Sequence, residues 1–212
     1  MGWALTIRLS QSTGAMAMRA GSLEAFAVGW AVMMAAMMLP SALPLVYEFA
    51  RRSEGRRGWL AATAVLAATY LAIWLAFGVG GYFVLGAFPV SRANVGWTGG
   101  VALALAGLYA LTPLQNASEA RCRELCSLHG PLPFNLVRSA TVAGARYAFS
   151  CLGCSGGLMV AMVIIGMSSL GWMVILAGMV LAYKLGPAPS VQRRRVLSAV
   201  LVALAVVYAL GA

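Results

Sequence analysis

The chain has 212 residues, of which 62% are hydrophobic and 9% charged, and a mean hydropathy of +0.87. A soluble domain keeps roughly a quarter of its residues charged to maintain a wet exterior. This composition therefore excludes an ordinary cytosolic enzyme, a disulfide-stapled secreted scaffold and a disordered chain, and points to an integral membrane protein. The net charge of +10 does not signal a nucleic-acid partner, because the basic residues lie between apolar runs and form no stripe interleaved with aromatics.

Residues 1–22 read as an N-terminal tail in which Trp3, Leu5 and Ile7, with Arg8 and Arg19, suit a short interfacial helix. Arg8 breaks the first apolar stretch and no basic segment precedes it, unlike a cleavable signal peptide. Residues 23–212 read as an all-α, polytopic transmembrane helix bundle of about six spans, since a helix crosses the hydrocarbon core with about 20 apolar residues. The first span is Ala25 to Tyr47, bounded by Glu24 and Glu48. It contains Met33, Met34, Met37 and Met38, which cover an arc of roughly 140° at 100° per residue. Pro40 and Pro44 follow and free backbone carbonyls. The second span runs from Trp59 to about Gly81, and the third from about Val95 to Leu114.

A long loop, 115–146, comes next, and Pro131 and Pro133 divide it into a short helix, a break and a helix leading into span four. Its Cys122, Cys126 and His129 stand at i, i+4 and i+7, on one helical face, and can supply three ligands of a four-coordinate site, with the fourth position open or filled from elsewhere. Span four opens with Cys151-Leu152-Gly153-Cys154, followed by Met159 and Met162. With Cys151 at zero, Cys154 falls near roughly −60°, Met162 near +20° and Met159 near +80°, so all four sulfurs share a face. Gly153, Gly156 and Gly157 leave room for another backbone. Ser168-Ser169-Leu170-Gly171 forms a hairpin into span five, where Met173 and Met179 extend the sulfur supply begun by Met167. Val196 to Leu210 is a short sixth span.

The basic residues orient these spans. Arg51, Arg52, Arg56, Arg57, Arg121, Arg123, Arg138, Arg146, Lys184, Arg193, Arg194 and Arg195 fall on one side, against Arg8, Arg19 and Arg92 on the other. The positive-inside rule places the 115–146 loop in the cytosol and both termini outside. Catalytic arrangements are missing from the pattern: the chain has glutamates but no aspartate, a single histidine, and no acidic residue near the middle of a span. It also lacks a phosphate-cradling glycine motif.

The run Met33-Met34-Ala35-Ala36-Met37-Met38-Leu39-Pro40-Ser41 resembles a motif of a bacterial family of predicted metal-binding integral membrane proteins of undefined function. The resemblance continues through Tyr109-Ala110-Leu111-Thr112-Pro113-Leu114, the Cys122/Cys126 pair, Cys151-x-Gly153-Cys154 and Gly166-Met167, over roughly residues 25 to 187. This chain departs from the family at Gln115, where a lysine is usual, and at Ser155-Gly156, where Cys-Trp is common. Tyr183, before Lys184, also stands where a glutamate is common. The resemblance implies metal handling in the bacterial cytoplasmic (inner) membrane.

Soft thioether and thiolate ligands select Cu(I). The expected function is therefore binding of a soft metal ion, Cu(I), through these sulfurs, in metal transport or delivery. The expected metal ligands are Cys151, Cys154, Cys122, Cys126, His129, Met33, Met34, Met37, Met38, Met159 and Met162. Expected partners are the lipid bilayer, a protein that donates or accepts the metal, and further subunits in a homo-oligomer or membrane complex. Two other readings stand beside this one. The first is a membrane thiol–disulfide oxidoreductase exchanging electrons between Cys151/Cys154 and Cys122/Cys126. The second is a scaffold subunit of a membrane complex, with its sulfurs as packing.

Overall fold

The computed structural model describes residues 22–87, 95–126, 135–165, 174, 178–180 and 191–211. Its elements are α1 (Leu23–Ser53), α2 (Trp59–Ala87), α3 (Val95–Tyr109), α4 (Pro113–Cys126), α5 (Leu136–Ile165) and α6 (Val191–Gly211), and the described residues contain no strand. The expected hairpin at 168–171, most of span five, the 1–21 tail, His129, Met167 and Met173 lie outside the described residues.

The helix ends follow from local chemistry. Ser22 caps α1 by accepting from the Ala25 amide at 3.4 Å, with Glu24 in the first turn and Arg51 and Arg52 in the last, matching the helix dipole. Arg51 and Arg52 both bond to Glu48, at 3.0 and 2.6 Å. The turn into α2 uses Gly55 and Gly58 at φ +81° and +78°, a region that side chains avoid. Asn135 opens α5, its Oδ1 accepting from the Arg138 amide at 3.0 Å. Pro40 and Pro44 sit inside α1 without dividing it.

The third expected span needs correction. Its helix stops at Tyr109, not Leu114. At 15 residues it is about 22 Å long, short of the hydrocarbon thickness. Thr112 then caps a new helix by accepting from the Gln115 amide at 3.4 Å, and Pro113 takes the first helical position, where its missing N–H costs nothing. The chain therefore bends by 69° between α3 and α4. The motif that seemed to finish a span instead starts the helix carrying Cys122 and Cys126.

Among the described residues two helices are long and apolar enough to cross a membrane, Leu23–Ser53 and Trp59–Val84, or three if the bent pair α3–α4 counts as one broken span. α5 is the central helix. α2, α3 and α4 pack along it, α6 packs against α3, and α1 lies against α2 and touches α4. Trp30 of α1 donates its indole N–H to the Trp74 carbonyl at 2.8 Å and lays its ring against Gly78, which fixes α1 to α2. Large apolar residues such as Leu43, Leu60, Phe83, Trp97, Leu105 and Phe149 face outward.

Candidate metal centre

Three helices place the candidate ligands. α4 presents Gln115, Glu119 and Cys122 on one buried face, at i, i+4 and i+7, with Cys126 half-buried one turn further on. α5 presents Cys151, Cys154, Met159 and Met162, all buried, as its helical wheel predicts. α1 presents Met33, Met34, Met37 and Met38, also all buried. These side chains belong to one continuous core.

The two cysteine pairs expected from the sequence come together, but across the helices. Cys122 Sγ lies 3.8 Å from Cys154 Sγ, whereas the nearer member of the CxxC motif to Tyr70 is Cys151, whose Sγ is 3.2 Å from the Tyr70 hydroxyl. Cys154 directs its thiol to the Cys151 carbonyl at 3.3 Å and meets Ser155 Oγ at 3.4 Å. The two residues are three apart on a helix, about 60° around its axis, so Cys154 faces α4 while Cys151 meets Tyr70 of α2. The Tyr147 hydroxyl donates to the Ser41 carbonyl at 2.8 Å. Its ring packs against that of Tyr70, with centroids 5.5 Å apart. None of the four cysteines forms a disulfide.

The close approach of α4 and α5 depends on Gly153. A Cβ there would stand 2.8 Å from Ser118 Cβ and would collide with Ser118 Oγ. Gly157 also faces a neighbour, Tyr109, whereas Gly156 faces open space. Two side chains then fasten the backbone beside the thiols. The Tyr109 hydroxyl donates to the Gly153 carbonyl at 2.7 Å, and Gln115 Nε2 donates to the Cys154 carbonyl at 3.2 Å. Gln115 Oε1 is buried without a hydrogen-bond partner. Glu119 is 5% exposed and pairs with Arg123 at 3.3 Å.

The sulfur separation can be compared with coordination chemistry. Two sulfurs bound to one metal at about 2.3 Å stand about 3.8 Å apart at a tetrahedral angle and about 4.6 Å apart when linear. At 3.8 Å, Cys122 and Cys154 sit at the near end of that range, and a side-chain movement of under about 1 Å reaches the rest. A disulfide would require about 2.05 Å. Among the described residues no three of His, Cys, Asp and Glu are grouped to hold a metal ion.

Sequence reasoning found the sulfurs and missed their polar neighbours Tyr70, Tyr109, Tyr147, Gln115 and Glu119. Gln115 and Glu119 share the spacing that picked out Cys122, so the wheel that assembled the thiols could have found them. The tyrosines carried no periodic signal that separates them from lipid-facing aromatics.

Fold and site together define a class: an all-α protein whose apolar helices enclose thiols and thioethers in a single core, with two thiols facing each other across a helix pair. The chain matches the PpoB2 family model, described as a copper chaperone, over residues 27–208, and it belongs to that family. No curated protein and no solved structure gives a significant match.

Proposed function

We propose that this protein is an inner-membrane bundle of about six spans that takes Cu(I) through its methionines and holds it between Cys122 and Cys154, for delivery to a partner protein. The observation that carries this reading is the 3.8 Å approach of those two thiols in the core of a copper chaperone family member. Thiolates bind Cu(I) tightly, and neutral thioethers bind it weakly enough to pass it on. The ligand thiols lose their protons on binding, so the loaded pair carries one net negative charge. Copper is the cargo here, and no redox change is required of it. The neighbouring hydroxyls of Tyr70, Tyr109 and Tyr147 keep the surrounding polar groups bonded in an otherwise apolar interior. Met33, Met34, Met37, Met38, Met159 and Met162 form the approach, Cys126 and His129 are further candidate ligands on the cytosolic side, and both termini lie outside.

The test is metal analysis of the purified full-length protein after anaerobic Cu(I) loading, beside Cys122→Ser/Cys154→Ser. The wild type retains copper and the double variant does not; equal copper in both would refute the site. The thiol–disulfide oxidoreductase reading draws on the same facing thiols. Reporter fusions between α4 and α5 separate the two, because an outward, oxidising location favours the oxidoreductase and a cytosolic one favours copper delivery.

A further inference from the structure

The structure separates its three buried thiols into two kinds. Cys122 and Cys154 face each other across α4 and α5, and no third His, Cys, Asp or Glu among the described residues is grouped with them for a metal ion. The third, Cys151, is engaged by the Tyr70 hydroxyl at 3.2 Å, and the Tyr70 ring meets that of Tyr147 at 5.5 Å. Cys151 is fully buried and Tyr70 is 1% exposed, so this contact does not compete with water. Either the phenol or the thiol can supply the proton of this contact.

We propose that this division is functional: Cys122 and Cys154 hold Cu(I), and Cys151, latched by Tyr70, is the exchange thiol through which the ion leaves. The proposal rests on the copper reading above. An ion held by two thiolates in an apolar interior cannot dissociate as a bare cation, because burying an unpaired charge costs far more than a third ligand does. A new sulfur must bond before an old one departs. In the exchange step the Cys151 sulfur turns from Tyr70 and forms a copper–sulfur bond, while the bond to Cys154 breaks. The proton lost by the Cys151 thiol passes to the departing Cys154 thiolate, so the charge is unchanged and copper stays Cu(I). The Tyr70 hydrogen bond keeps Cys151 from acting as a permanent third ligand, which would hold the ion too firmly to hand on. This differs from the usual reading of a CxxC motif, in which both thiols form one clamp.

The experiment uses the full-length protein in detergent, loaded with Cu(I) under anaerobic conditions. Cys151→Ser is expected to retain wild-type copper content and affinity while its transfer of Cu(I) to a competing dithiol chelator slows by about tenfold or more. Tyr70→Phe releases the latch, and the number of sulfurs around copper, read by X-ray absorption, rises from two to three. A merely structural role for Tyr70 would not raise it. If wild type binds copper and Cys151→Ser loses it, Cys151 is a primary ligand and the division is overturned. It is also overturned if transfer is unchanged in Cys151→Ser, or if the wild-type ion already has three sulfurs. A wild type that takes up no Cu(I) overturns the copper reading itself, and the division with it.

Discussion

Replacing Gly153 with leucine tests whether helix spacing sets the copper site. Leucine is a better helix former than glycine, which falls about 0.8–1 kcal/mol below alanine, so α5 itself is not weakened. The difficulty lies between helices, because even a Cβ at this position would be 2.8 Å from Ser118 Cβ. Helix axes pack about 8–10 Å apart depending on the side chains between them, so a leucine at a glycine contact widens the gap by about 2 Å. Gly153 adjoins Cys154, and Ser118 lies one turn before Cys122, so the sulfurs move apart by a similar amount. Their separation grows from 3.8 Å to about 5.8 Å, beyond the roughly 4.6 Å that one metal spans in a line. The overpacking costs about 1–3 kcal/mol, partly offset by the gain in helix propensity. Competition with a chromophoric Cu(I) chelator should show affinity falling by about 100-fold or more, while circular dichroism shows the helices intact. The pair Gly153→Ala/Ser118→Gly removes the colliding side chain and should recover most of the affinity. Wild-type affinity in a folded Gly153→Leu protein would refute the assignment of copper to the Cys122–Cys154 gap.

Other expectations follow from the same geometry. Gln115→Leu loses the bond to the Cys154 carbonyl but also removes a buried unpaired oxygen. Its chemical-denaturation stability should stay within about 1 kcal/mol of wild type, while its Cu(I) affinity drops. Changing Met33, Met34, Met37 and Met38 together to leucine keeps volume and should cost under about 1.5 kcal/mol per site. Copper entry into vesicles carrying this variant should nevertheless collapse, and unchanged entry would mean the methionines only fill space. Tyr109→Phe frees the Gly153 carbonyl and should lower stability by about 1 kcal/mol with a smaller effect on copper than Gln115→Leu, measured by the same chelator competition.

The sulfur-bearing faces were legible in the sequence because helical periodicity is a local property. Spacing alone put Cys151, Cys154, Met159 and Met162 on one side of α5, and all four are buried there. Partner choice is not local. The wheel could not show that Cys154 would meet Cys122 while Cys151, only about 60° away, would meet a tyrosine from α2. The end of α3 was misplaced for a related reason. Leu111-Thr112-Pro113-Leu114 is apolar enough to extend a span, and hydropathy ignores that Thr-Pro caps and starts a helix. Gln115 looked like a departure from a family pattern, and its role emerged only when the Cys154 carbonyl was found within its reach.

Two of the bonds on α1 have a mechanical consequence. The Trp30 indole is tied to the Trp74 carbonyl and the Ser41 carbonyl is tied to the Tyr147 hydroxyl. Eleven residues separate these anchor points, about 16 Å along the axis, and all four methionines of the strip lie between them. A rod pinned at both ends cannot slide to follow a travelling ion. Accommodation must then come from the unbranched thioether arms swinging between rotamers, a motion that leucine, stiffer and without a lone pair to offer, cannot reproduce.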